Sequence, residues 1–140
     1  MAKAKAKASG KTSIEVTIPV VTVSESNVRD RGRHGKPGSL RKSQRVKSHR
    51  TVSGYTMRAQ IGRSLDVWPA GVPLVVTLTR VGGRKMDDDN LSAALKAVRD
   101  GVADWLGVDD GSPLLTWDYR QEPDPKNRSQ AVRCRVELVK

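Results

Sequence analysis

The chain has few of the residues on which several kinds of protein depend. Its single cysteine, Cys134, excludes an intrachain disulfide and a cysteine-built zinc site. Two histidines, His34 and His49, are too few for a histidine-rich metal centre. No apolar run approaches the roughly 18 residues of a membrane span. The first residues lack the apolar stretch of a secretory signal. No G-x-x-x-x-G-K-[ST] loop is present, so nothing marks a nucleotide cofactor. At 140 residues and 36% apolar composition, the expectation is one domain with a modest but sufficient core.

Acidic residues are scarce in one half only. Residues 1–86 hold 18 Lys and Arg against 4 Asp and Glu, a balance of +14. Residues 87–140 hold 8 against 11, a balance of −3. The net charge of +11 favours an acidic partner, nucleic acid before an anionic membrane. A basic half joined to an acidic half fits a phosphate-binding surface beside a carboxylate site. It fits a basic tail on an ordinary domain equally well.

Residues 1–13 (MAKAKAKASGKTS) alternate Ala and Lys and offer little to bury, so they read as a disordered basic tail ahead of a domain over 14–140. Ile14 to Val23 alternates β-branched residues and reads as a strand, with Pro19 pointing to an edge or a bulge. Ser24 to Leu40 is a glycine-rich loop carrying Arg29, Arg31, Arg33, His34 and Lys36. Such a loop can follow a phosphate backbone or simply be solvated. Arg41 to Ile61 has a weak helical period, weakened further by Gly54 and Thr51-Val52-Ser53, and reads as a basic helix.

The second half is more sharply patterned. Val72 to Val81 is a strand with Leu74, Val76 and Leu78 on one face. Leu91, Leu95, Val98, Val102 and Trp105 recur at helical spacing, so Leu91 to Leu106 is an amphipathic helix. Ser92 is a candidate N-cap and Gly107 a candidate terminator. Leu114 to Gln121 and Ala131 to Val139 alternate as strands, joined by a turn over Glu122 to Ser129, and are expected to pair as a hairpin. Cys134 falls on the apolar face of the last strand and reads as a buried small hydrophobe.

The acidic clusters carry the sharpest chemistry. Asp87, Asp88 and Asp89 precede Asn90 between the best strand and the clear helix. Three adjacent carboxylates repel unless they are solvated, favoured by a helix N-terminus, or bound to a hard divalent cation through oxygen. Asp109-Asp110 follows the helix. The two clusters meet only if the chain after Gly107 folds back beside the strand; otherwise Asp109-Asp110-Gly111 is a plain turn. Lys96 shares a helix face with Asp89, almost two turns away. It could stabilise charge on a phosphate, or pair with Asp100 at i,i+4 on a solvated face.

Taken in order, Asp87-Asp88-Asp89-Asn90, Lys96-Ala97-Val98-Arg99-Asp100 and Asp109-Asp110 resemble the motifs of the RusA family of Holliday junction resolvases. The family lysine usually follows the Asp-Asn pair by three residues, where this chain has Ala93; the K-A-x-x-D pattern makes Lys96 its counterpart. The resemblance implies an α+β fold, a small mixed sheet with two main helices, assembled as a homodimer. It implies a phage or bacterial endonuclease, cytoplasmic in its host, that nicks four-way DNA junctions in symmetrical pairs with Mg²⁺ or Mn²⁺. By the same resemblance Asp87, Asp89 and Asp110 are metal-site acids, Asp109 is an auxiliary carboxylate and Lys96 is the catalytic lysine. The competing expectation is a DNA- or junction-binding protein without catalysis. It accounts for the basic half but poorly for two ordered acidic clusters.

Overall fold

Period-two alternation of β-branched residues builds the sheet, and the one strong helical stripe covers it. The computed structural model describes residues 13–23, 36–126 and 130–139. Its elements are β1 (Ser13–Ile18), α1 (Lys36–Ile61), a single 3₁₀ turn (Ser64–Asp66), β2 (Leu74–Val81), α2 (Asp88–Leu106), β3 (Leu115–Glu122) and β4 (Ala131–Leu138). The strands lie in the order β1-β4-β2-β3. β4 is antiparallel to both of its neighbours, while β2 and β3 are parallel and joined through α2. This is the expected α+β arrangement, a small mixed sheet with two long helices. No helix among the described residues is long and apolar enough to cross a membrane.

Register explains the core. Val16, Cys134, Leu78 and Tyr119 stand side by side across the four strands, and so do Ile14, Val136, Val76 and Trp117. The aliphatic members of these rows are almost fully buried. α2 lays Leu91, Leu95, Val98 and Val102 into the same cluster. Each fully buried side chain of this kind contributes about 1.5–3 kcal/mol. The other face of the sheet is polar and carries the ion pairs Arg133–Glu122, Arg120–Asp118 and Arg135–Glu137. Both helices therefore occupy one face. Cys134 is fully buried, and burial pushes its thiol up to about 12; it is a packing residue, as its place on the apolar face suggested.

Four expectations need correction. β3 and β4 do not form a hairpin: they lie on opposite sides of β2. β4 carries three fully buried residues, Val132, Cys134 and Val136, and needs an apolar row on each side, which β1 and β2 supply. β3 carries half-buried residues at Trp117 and Tyr119, which suit an edge. The first strand begins at Ser13, inside the expected tail, and ends at Ile18, because Pro19 has no N–H to donate. It is an edge strand, as Pro19 suggested. The basic helix begins at Lys36, not Arg41; Pro37 falls in its first turn, where a missing N–H costs nothing. α2 begins at Asp88, and its N-cap residue is Asp87 rather than Ser92. Ser92 sits inside the helix and donates to the Asp89 carbonyl at 3.1 Å.

The end of α2 matches its sequence. Gly107 adopts φ +72°, its N–H reaches the Asp104 carbonyl and the Val108 N–H reaches the Ala103 carbonyl. Those two bonds are a Schellman motif, which a glycine at this position permits.

The α1–α2 contact is unusually close. A Cβ built on Gly101 would lie 2.3 Å from the Arg50 carbonyl oxygen, and one on Gly54 would lie 3.2 Å from the Gly101 oxygen. Gly54 thus marks a close approach to α2 rather than a break in α1. Buried Ser53 returns its hydroxyl to the His49 carbonyl at 2.6 Å. At the rim, Arg50 grips Asp104 with two nitrogens at 2.7 and 2.9 Å.

Candidate acidic site

Two acidic groups lie along α2, and the fold holds each by a different device. The first is at the N-terminus of the helix. Asp87, Asp88 and Asp89 are all exposed there, and the helix dipole favours their charge. None of the three makes an ion pair among the described residues, although Arg84 and Lys85 precede them directly. The loop before them is pinned from below. The Gln121 side chain accepts from the Met86 N–H at 2.9 Å and donates to the Met86 carbonyl at 2.7 Å. Arg80 is 5% exposed and donates to the Arg84 carbonyl at 2.6 Å and to Thr22 Oγ1 at 2.9 Å. Gly82 and Gly83, both at positive φ, let the chain turn tightly and bond back to the Glu122 and Asp124 carbonyls.

The second group is at the middle of α2. After Gly107 the chain does fold back, through a turn in which the Ser112 N–H bonds the Asp109 carbonyl at 2.9 Å. This brings Asp110 against Lys96, whose ammonium donates to Asp110 at 3.1 Å and to Asp100 at 2.7 Å. Arg99 secures the turn. It donates to the Tyr119 hydroxyl at 2.7 Å and to the Asp110 carbonyl at 3.0 Å, and its Nε lies 3.2 Å from the Asp110 carboxylate without being aligned to bond it. Its guanidinium covers the Trp117 ring at 4.8 Å, and the Trp117 indole donates to the same Asp110 carbonyl at 2.8 Å. The Lys96 hydrogen bond, seconded by Asp109 and the nearby cationic charge, holds the Asp110 carboxyl below the usual range. The bonds to Asp100 and Asp110 in turn raise Lys96 above the ordinary lysine value.

The fold therefore joins Lys96 with Asp110, and also with Asp100 as the plainer reading of its spacing had it. It does not gather Asp87 and Asp89 with Asp109 and Asp110. Among the described residues no group of three or more acidic, histidine or cysteine side chains is placed to hold a metal. Lys96 lies seven positions after Asp89 along the helix, roughly 10 Å of axial rise. The ligand set implied by the resemblance does not form such a group among the described residues. Asp87 and Asp89 by themselves suit a hard cation, because Mg²⁺ commonly takes one or two carboxylates and completes its shell with water and substrate phosphate. Arg29, Arg31 and Arg33, expected to contact DNA, lie outside the described residues, as does the side chain of Lys36, whose backbone opens α1.

Sequence reasoning missed Arg99 and Gln121. Arg99 stood inside the K-A-x-x-D motif as an unassigned position, and Gln121 closed a strand. No protein-family model matches the chain, and no curated protein matches it.

Proposed function

We propose that this protein is a metal-dependent endodeoxyribonuclease that resolves four-way DNA junctions, a RusA-like enzyme acting as a homodimer. One observation carries the reading. In a chain with 26 Lys and Arg, the three carboxylates at Asp87, Asp88 and Asp89 stand exposed and without an ion pair among the described residues, on a loop that Gln121 and Arg80 hold in place. Carboxylates left bare beside a surplus of cations are suited to an ion that arrives with the substrate.

Asp87 and Asp89 would hold Mg²⁺ or Mn²⁺; when bound, such an ion activates water and offsets charge on the attacked phosphate. The resemblance adds Asp110 and Asp109 to this set. Lys96, kept protonated by Asp100 and Asp110, is the cation available to a phosphate lying along α2. The basic residues supply salt-dependent affinity through counterion release. A four-way junction has two equivalent strands, and a two-fold homodimer would set one site at each.

A second reading, junction binding without cleavage, is favoured by one observation: Asp110 already faces two cations, Lys96 and Arg99. Incubating the protein with a labelled four-way junction and a matched linear duplex, with and without Mg²⁺, separates the two. Metal-dependent paired nicks in the junction alone support the nuclease, and Asp89→Asn then abolishes cutting while binding persists. Tight binding without nicks in either Mg²⁺ or Mn²⁺ refutes it.

A further inference from the structure

A groove of about 690 Å³ runs between the C-terminal half of α1, the Ser64–Asp66 turn and the end of α2. Val108 and Leu114 line it, and these two residues flank the Asp109–Asp110 turn in sequence. Its walls include Tyr55, Leu65, Trp68 and Trp105. Tyr55 is 71% exposed and Leu65 58%, so two large apolar side chains face solvent at one place. The Trp105 indole is satisfied, donating to the Gly62 carbonyl at 2.7 Å. The Trp68 indole Nε1 is sealed from solvent and meets no acceptor among the described residues. Arg58 and Arg63 also line it. Arg63 reaches only exposed Asp66, at 3.7 Å, and Arg58 has no acidic partner among the described residues.

We infer that this groove takes an unstacked nucleobase from the strand on which the acidic site acts. The inference rests on the reading of that site as working on branched DNA. A base brings what the groove lacks. Its face stacks on the exposed Tyr55 ring, and its phosphates meet Arg58 and Arg63. The volume falls in the range of ligand pockets, roughly 300–1,000 Å³. Branch points supply suitable bases, since stacking is interrupted where strands exchange.

Protein with ¹⁵N-labelled tryptophan, titrated with single-stranded hexathymidylate, tests this directly. The Trp68 indole resonance, assigned with Trp68→Phe, moves on binding because Trp68 lines the groove, and Trp117 moves less. The exposed double variant Tyr55→Ala with Arg58→Gln weakens the oligonucleotide about tenfold or more, within the range of one base–aromatic stack, and affects linear duplex far less. A Trp68 resonance that stays still at saturation overturns the inference, as does an equal loss on duplex. Dissociation of a dimer by the double variant with oligonucleotide affinity intact assigns the groove to a second copy and overturns it too. Junction cleavage in Mg²⁺ is measured on the same samples. Protein that shifts Trp68 but cuts nothing keeps the groove and loses the nuclease; protein that cuts with Trp68 unmoved does the reverse.

Discussion

Replacing Gly101 with alanine sets two physical effects of opposite sign against each other. Alanine is the better helix former by about 1 kcal/mol in a helix interior, so local propensity makes Gly101→Ala stabilising. The geometry says otherwise. The new methyl would sit 2.3 Å from the Arg50 carbonyl oxygen and 2.8 Å from Ser53 Cβ. Both obstacles belong to α1, and the nearer is backbone, which cannot rotate away. Relief requires the helices to part by about 1 Å, the shortfall from an ordinary contact near 3.5 Å. That opens the packing around Ser53 and Met57 and stretches the two-nitrogen Arg50–Asp104 grip. Overpacking of this kind costs about 1–3 kcal/mol and occasionally more. Because here a backbone carbonyl is struck, the upper end applies, and after the propensity gain about 2 kcal/mol of net destabilisation remains. For a chain of this length that is a fall of roughly 4–8 °C in Tm. Urea unfolding followed by tryptophan fluorescence, with calorimetry alongside, measures it. Gly54→Ala is the internal control: its methyl would meet the Gly101 oxygen at 3.2 Å, a few tenths of an ångström of adjustment, and the propensity gain nearly cancels the cost. A Gly101→Ala protein more stable than wild type would refute the close-packed account of the α1–α2 contact.

The other expectations concern the acidic turn. Arg99→Met keeps the aliphatic stem but loses the bonds to Tyr119 and the Asp110 carbonyl and the stack on Trp117; it should cost about 2 kcal/mol and speed hydrogen exchange across residues 110–117, and unchanged exchange there would sink the assignment. Asp110 has its carboxyl depressed in the folded state, so the unfolded chain binds more protons in the window between the folded value and the ordinary one near 4. Stability from this group is therefore complete above the ordinary aspartate range and is lost as pH falls through the depressed value. Urea midpoints in acid should drop less steeply in Asp110→Asn than in wild type, by a modest margin since the side chain is partly exposed, and equal slopes would contradict the ionic role given to Lys96.

Where one face is buried and the other solvated, sequence was a good guide. β2, α2 and β4 each bury one set of apolar residues at strand or helix period, so position in the chain reports position in the core. α1 was hard to see because its buried side is small and polar. His49, Ser53 and Thr56 face inward with Met57, and close backbone approach at Gly101 replaces an apolar stripe. The hairpin error has another origin. Adjacent strands are natural partners, but sheet order depends on which strand has two apolar neighbours, and only the assembled register reveals that. At the site, the acids and Lys96 were visible as residue types in a spacing. Fold-back of Asp110 was foreseen as a requirement, and it occurred, bringing Asp110 against Lys96. Arg99 and Gln121 gain their roles from contacts 11 to 35 residues away in sequence, which no local pattern encodes.

The placing of β4 governs how the protein must come to be made. β1 and β2 never touch; each bonds to β4, which runs between them. From the first residue of β1 to the first of β4 the ribosome adds residues 13 to 131, and until Ala131–Leu138 emerges the sheet lacks its middle. A nascent chain at that stage presents two apolar strand edges with nothing between them, a state prone to pairing with other chains. The many pairings between distant segments also point to folding in milliseconds to seconds rather than microseconds. Completion is a single late event, in which the last strand closes a gap framed by the first and the second.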